Sequence, residues 1–109
     1  MAEQLSIPLS LNDLRDAVRP ICETRPIARV EVFGSIANGT ADADSDIDLL
    51  VEFLPTANFG LFEMGELKEE LEQRLGRSVD LLSRHGVEQS RNPIRRRAIL
   101  ANPITIYAR

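Results

Sequence analysis

The sequence is poor in residues that several functional classes depend on. Among its 109 residues there is one cysteine, Cys22, there is no tryptophan, and aromatic residues make up 5%. A single cysteine allows neither an intramolecular disulfide nor a zinc-binding cysteine cluster, so we expect Cys22 to be a core residue in a reducing compartment. The shortage of aromatic rings leaves few platforms on which nucleic-acid bases could stack.

The sequence also lacks a basic excess and a long apolar run. Its formal net charge is -4 at pH 7, whereas proteins that bind nucleic-acid backbones in bulk present a basic face. No segment approaches the roughly 18 apolar residues of a membrane span, and the N-terminus shows no basic region followed by an apolar one. We therefore expect a cytoplasmic protein with no membrane partner and no bulk nucleic-acid binding.

The remaining composition is that of a globular protein, with 43% apolar and 28% charged residues. The length suits a single domain spanning residues 1–109. Apolar periodicity and turn residues predict a first helix beginning near Leu11, which Pro20 should kink or shorten. The other predicted elements are strands at 28–33, 46–53, 77–83 and 104–108 and helices at 64–75 and 93–101. This order predicts an α/β fold with one small mixed sheet flanked by helices.

Two aspartates stand at alternate positions in the second predicted strand. Side chains two apart share a strand face, so Asp46 and Asp48 point the same way with their Cα atoms about 6.5 Å apart. Two carboxylates on one partly covered face repel each other unless a cation or hydrogen-bond donors compensate. A divalent metal is the economical explanation, although a solvent-facing strand with alternate polar residues is the better reading of an isolated Asp-x-Asp.

A third acid, Asp80, lies within the apolar strand "VDLL". If this strand lies beside the second one, three carboxylates converge, as two Mg²⁺ ions about 3.5–4 Å apart would need for in-line phosphoryl chemistry. Asp42 and Asp44 lie among small and polar residues in a turn, and we expect them to be solvated charges.

Other motifs in the same region fail or are weak. An EF-hand starting at Asp42 would need glycine where Ile47 stands and glutamate where Phe53 stands. A P-loop would need lysine where Thr40 stands. What remains is Gly34-Ser35 after the first strand. This pair could let a phosphate approach the backbone closely, or it could form a plain strand-to-helix turn.

Together these residues resemble the nucleotidyltransferase superfamily related to DNA polymerase beta, whose signature is Gly-Ser, ten residues, then Asp-x-Asp. Here Gly34-Ser35 is followed at that spacing by Asp46-Ile47-Asp48. The chain is more closely similar to the minimal nucleotidyltransferases, with "FGS", "SDIDLLV" and "G..VDL" in order, over roughly 11–107. The resemblance implies the polymerase beta palm-like fold. One departure is Asn38, where the family commonly has arginine.

The resemblance also implies an activity and a partner. The enzyme would transfer AMP from ATP to a hydroxyl group and release pyrophosphate, with two Mg²⁺ ions as cofactors. Asp46 and Asp48 would hold both metals, Asp80 would bind the catalytic metal and help to activate the nucleophile, and Gly34 and Ser35 would hold the triphosphate. For chains of this size, the acceptor would be a tyrosine of a HEPN-domain ribonuclease toxin, and the enzyme would act as its antitoxin.

Alternatives to this function stay open at the level of sequence. A non-catalytic module could neutralise a toxin by sequestration, a reading that Asn38 favours, and a small-molecule (antibiotic) nucleotidyltransferase is a weaker candidate. We expect His85 to be a surface residue. Residues 95–97 are arginines at 100° steps around a helix, so they cannot all face one phosphate. These patterns do not specify the acceptor, the number of AMP units, the base preference or the oligomeric state. They are compatible with a homo-oligomer.

Overall fold

The fold places four strands in one sheet with helices on both faces. The computed structural model describes residues 10–42, 45–58 and 60–109. In chain order the elements are α1 (Leu11–Glu23), β1 (Ile27–Phe33), α2 (Gly34–Asn38), β2 (Ile47–Phe53), α3 (Leu61–Leu75), β3 (Val79–Ser83), α4 (Arg84–Glu88), α5 (Pro93–Leu100) and β4 (Ile104–Ala108).

The sheet has the strand order β3-β2-β1-β4. β1 pairs antiparallel with both β2 and β4, whereas β2 and β3 run parallel. The parallel pair is joined through α3, as parallel strands need a crossover connection. The prediction of an α/β fold with a small mixed sheet flanked by helices is therefore confirmed.

The two faces of the sheet carry different cores. Odd-numbered residues of β2, such as Leu49 and Val51, pack with the buried side chains of α1 and α3. On the opposite face, a smaller cluster contains Phe33, Leu50, Val87 and Ile99, which brings α4 and α5 against the sheet. Since side chains alternate along a strand, Asp48 and Glu52 share this second face with Leu50.

Helix ends follow the local sequence signals closely. Gly76 follows α3 with a φ of 69°, and its N–H donates to the carbonyl of Glu72, as is usual for a left-handed C-terminal glycine. The Asn92 side chain accepts from the N–H groups of Ile94 and Arg95 at the start of α5, where Pro93 is the first helical residue. The predicted end of α3 and the predicted start of α5 are thus explained by capping.

Several element boundaries differ from the sequence-based expectation: β1 begins at Ile27 rather than Ala28, α3 begins at Leu61 rather than Met64, and α5 ends at Leu100 rather than at residue 101. β2 begins at Ile47 rather than Asp46, and β3 begins at Val79 rather than at residue 77. Pro20 lies inside α1, which continues to Glu23 instead of being shortened. Ile21 and Cys22, which follow the proline, are buried, so tertiary packing holds this last turn in place.

Two further features bear on the composition argument. Burial raises the pKa of the Cys22 thiol to about 12, so this cysteine is a neutral core residue rather than a nucleophile. No helix in the described part of the chain is both long and apolar enough to cross a membrane.

Candidate active site

The parallel pairing of β2 and β3 brings two of the predicted site residues together. Asp48 is the register partner of Asp80, and the Ile47 N–H donates to the Ser78 carbonyl at 2.9 Å. Asp46 lies immediately before β2. Asp46 and Asp80 are exposed, and Asp48 is partly buried. The condition set by the sequence, that the third strand lies beside the second, is therefore met.

The three carboxylates interact electrostatically. The pKa of Asp48 is raised, first by burial and then by the negative charges of Asp80 and Asp46. Each neighbouring charge disfavours ionisation of Asp48, whereas a bound cation would favour it. Within the described residues, no three His, Cys, Asp or Glu side chains already form a metal-binding group. A single ion held by all three aspartates would require their side chains to reorient.

Gly34 touches the central acid of this group. Its φ is +71°, and a Cβ atom at this position would lie 2.2 Å from Oδ2 of Asp48. Phe33, the residue before it, is the register partner of Asp48 in the β1–β2 pair. Only glycine fits both this backbone conformation and this contact. Gly34 and Ser35 therefore begin α2 directly beside Asp48.

Arg77 holds the segment that leads into the acidic strand. Its Nη2 donates to the carbonyl oxygens of Asp42 at 2.8 Å and Ser45 at 2.5 Å. The Asp42 N–H donates to Oγ of Ser45, and the Ser45 hydroxyl donates to Oδ1 of Asp42. Asp42 is exposed, as expected, but it is also tied into this turn. Asp44 lies outside the described residues.

A buried ion pair lies on the same sheet face as Asp48, further along the strands. Glu31 is 6% exposed, and its Oε1 accepts from Nη1 of Arg84 at 2.7 Å, with Nε of Arg29 3.8 Å away. These partners balance the buried carboxylate, and we interpret the group as structural. His85 is exposed in α4, in agreement with the expectation of a surface histidine.

Sequence reasoning did not single out Arg77, Glu31 or Arg84. The contacts of Arg77 reach 32 and 35 residues along the chain, and the Glu31–Arg84 pair spans 53 residues. A charged residue with a distant partner has the same local signal as a solvated one. An arginine directly after a helix-ending glycine and before an acidic strand is the only hint that the sequence offers.

Comparison with known proteins identifies relatives for most of the chain. The nucleotidyltransferase domain family matches residues 14–103. A protein of Methanocaldococcus jannaschii provisionally named a protein adenylyltransferase is 34% identical over 79 residues, which cover 72% of this chain and 83% of that protein.

Solved structures show the same architecture. A protein provisionally described as a minimal nucleotidyltransferase superposes with a TM-score of 0.67 at 37% identity, covering 91% of this chain and 98% of the other. The structure of a toxin-antitoxin with AMP-PNP gives a TM-score of 0.66 at 20% identity, covering 93% of this chain and 75% of the other. At 20% identity this second likeness concerns the fold alone.

Proposed function

The chain belongs to the nucleotidyltransferase domain family and is a nucleotidyltransferase, and on that premise we propose that it is a Mg²⁺-dependent protein adenylyltransferase that acts as an antitoxin. In this proposal residues 1–109 form one catalytic domain. The observation that carries it is the register between Asp48 and Asp80. This register puts two acids side by side next to Gly34, whose contact with Asp48 excludes any larger residue.

The acidic group has the chemistry that a pair of Mg²⁺ ions requires. Carboxylate oxygens are preferred ligands of Mg²⁺, and the pKa of Asp48 is raised by burial first and then by the negative charges of Asp80 and Asp46. When bound, the ions would neutralise the triphosphate and the charge that develops at the transferred phosphoryl group. Asp46 and Asp48 would hold both ions, and Asp80 would bind the catalytic ion.

The protein's own groups have separate roles in this proposal. The backbone at Gly34 and the hydroxyl of Ser35 hold the triphosphate. The acceptor hydroxyl oxygen bonds to the α-phosphorus, its proton passes to the carboxylate of Asp80, and the bond to the β-phosphate oxygen breaks. Pyrophosphate leaves with the electron pair of that bond, and the acceptor carries AMP.

The acceptor and the partner are inferred from relatives. The similar protein of Methanocaldococcus jannaschii is named for transfer to protein, and a structure with this fold is a toxin-antitoxin with AMP-PNP. We therefore propose ATP as the nucleotide substrate and a toxin protein as the partner, and, following the sequence resemblance, a tyrosine of a HEPN-domain toxin as the acceptor. A domain this small can assemble a nucleotide site while the partner contributes to acceptor recognition.

One residue favours a second function, sequestration of the toxin without catalysis. Asn38, at the end of α2, is exposed and cannot supply the positive charge that the resemblance to minimal nucleotidyltransferases implies there. If it disables nucleotide binding, the protein would neutralise its partner by contact alone. A triple variant with asparagine at Asp46, Asp48 and Asp80 that still protects cells from the toxin would support this second function.

The test of the first function is calorimetric titration of AMP-PNP into the protein with and without Mg²⁺. We expect binding that depends on Mg²⁺ and that disappears in Asp46→Asn/Asp48→Asn. Asp42→Asn is the matched control, because it removes a nearby exposed carboxylate that is not assigned to the metals. Absence of binding in the wild-type protein, or equal binding by the double variant, would reject the proposed site.

A further inference from the structure

A cavity of about 260 Å³ lies between β3, α4 and α5. Leu82, Val87 and Ile99 supply apolar walls, and the side chains of Arg95 and Arg96 line it from the first turn of α5. Neither the metal sites nor the triphosphate residues proposed above use this cavity. Its lining combines apolar surface with two cationic groups, which is typical of a site for a ligand rather than of a packing defect.

The cavity opens on the sheet face that carries the catalytic acids. Leu82 follows Asp80 by two residues in β3, so both side chains point to the same face, with Cα atoms about 6.5 Å apart along the strand. Leu50, two residues after Asp48, packs in one cluster with Val87 and Ile99. A side chain seated in the cavity would therefore lie within reach of Asp80.

Strand order places the cavity on the acceptor side of the reaction. Gly34 and Ser35 follow β1, Asp48 lies on β2 and Asp80 on β3, and these strands are consecutive neighbours in the sheet. The triphosphate residues are thus on one side of the acids, and the cavity, lined by β3, is on the other. In-line displacement needs the acceptor and the leaving pyrophosphate on opposite sides of the transferred phosphorus.

The lining favours an aromatic acceptor over a short one. Nη1 of Arg96 is fixed by donation to the Ser90 carbonyl at 2.7 Å, and planar guanidinium groups stack well on aromatic rings. A serine or threonine hydroxyl could reach Asp80 only by leaving the apolar walls uncovered. A tyrosine ring covers those walls and carries its hydroxyl at the far end.

We propose that this cavity binds the ring of the acceptor tyrosine, with Arg95 and Arg96 against the ring and the hydroxyl directed at Asp80. The inference rests on the proposed protein adenylyltransferase function and assigns its acceptor site. It makes Arg95 and Arg96 determinants of acceptor binding that do not affect nucleotide binding. Arg97, the next residue on α5, does not line the cavity and is the matched control.

The experiment is a titration of N-acetyl-tyrosinamide into methyl-labelled full-length protein, followed by NMR. We expect shifts of the Val87 and Ile99 methyl signals, with a dissociation constant that Arg95→Ala and Arg96→Met each raise at least about fivefold. Arg97→Ala should leave the dissociation constant unchanged. N-acetyl-serinamide should produce no shifts, and unchanged methyl signals from residues outside the cavity report that each free variant is folded.

Three outcomes would overturn the inference. In the first, tyrosinamide leaves the Val87 and Ile99 signals unmoved. In the second, Arg97→Ala weakens binding as much as Arg95→Ala. In the third, Mg²⁺–AMP-PNP moves the same methyl signals and competes with tyrosinamide, which would assign the cavity to the nucleotide. Failure of the adenylyltransferase proposal is scored separately, by loss of Mg²⁺-dependent AMP-PNP binding in the calorimeter. Tyrosinamide binding without AMP-PNP binding would keep the aromatic site and reject the transferase.

Discussion

Asp48 lies directly opposite Asp80 in the parallel register of β2 and β3, so the two carboxylates stand at the same level of the sheet on one face. Nothing cationic among the described groups acts on Asp48 strongly enough to offset them, because its pKa is raised by burial, Asp80 and Asp46 in that order. The ligand-free protein therefore holds a local repulsion at the point where we place the chemistry.

Replacing Asp48 by asparagine should separate activity from stability. We expect Asp48→Asn to slow AMP transfer by at least about 100-fold, because it removes a ligand assigned to both metal ions. Each tenfold loss corresponds to about 1.4 kcal/mol of transition-state stabilisation. The free energy of unfolding without Mg²⁺ should be unchanged or higher, because one repelling charge is gone. A transfer assay and urea denaturation measure the two effects, and a clear loss of stability would contradict the repulsion.

The pH dependence of stability should carry the same signature. Because the pKa of Asp48 is raised above 3.8 in the folded protein, its contribution to stability is fully present below that ordinary value and is lost as the pH rises through the raised pKa. In metal-free buffer, wild type should therefore lose stability relative to Asp48→Asn across this window. Urea denaturation of both proteins at several pH values measures the difference, and a constant difference would contradict the shift.

Two glycines with similar backbone angles should respond differently to alanine. Gly34 and Gly39 have φ of +71° and +75°. An added Cβ would collide with Oδ2 of Asp48 at Gly34, whereas at Gly39 it would meet no atom within 4 Å. Gly39→Ala should lose about 1–2 kcal/mol from backbone strain alone and keep Mg²⁺-dependent AMP-PNP binding. Gly34→Ala should lose more stability and also lose binding. Equal behaviour of the two variants in denaturation and calorimetry would show that the Asp48 contact is unimportant.

Arg77 should act on the site through the backbone that precedes Asp46. Arg77→Met removes the donors to the Asp42 and Ser45 carbonyls and should lower the free energy of unfolding by about 1.5 kcal/mol, near the lower end for bonds of charged groups because Arg77 is partly exposed. Amide hydrogen exchange at Ser45 and Asp46 should quicken, and half-maximal AMP-PNP binding should need several times more Mg²⁺.

Arg77→Lys is the matched control for that variant. Lysine keeps the charge and the donors but not the planar geometry of the guanidinium, so it should restore part of the exchange protection and of the Mg²⁺ response. If Arg77→Met lowers stability while exchange at Ser45 and Asp46 and the Mg²⁺ requirement stay at wild-type values, Arg77 has only a general structural role.

The parts of the fold that sequence reasoning predicted well are those with a local cause. The stripe of Leu67, Leu71 and Leu75 and the glycine after it define α3, and Asn92 with Pro93 defines the start of α5. These signals depend on neighbouring residues alone. The expected shortening of α1 at Pro20 was wrong, because the helix runs on to Glu23 with Ile21 and Cys22 buried against the core.

The sequence predicted only part of the candidate site. Strand alternation predicted Asp46 and Asp48 on one face, although Asp46 lies just before β2. Nothing local fixes which residue of β3 stands opposite Asp48, and a shift of one residue would turn Asp80 to the other face. The roles of Arg77 and of the cavity-lining arginines also depend on approaches between distant segments. The three arginines of α5 show the limit well: their angular spread excludes a common contact, but it cannot tell which two share the cavity.

The pairing of β1 with β4 has a consequence for synthesis of the protein. β1 lies between β2 and β4, and residues such as Val30 and Tyr107, 77 positions apart, are register partners. During translation β1 can gain β2 as a neighbour early, but its other edge stays unpaired until β4 has left the ribosome. Arg109 closes this seam by donating to the carbonyls of Glu23 and Arg25. The acid-bearing strand pair is thus made before the sheet that supports it is complete. A chain stalled short of β4 would present the unpaired backbone edge of β1 to chaperones or to aggregation.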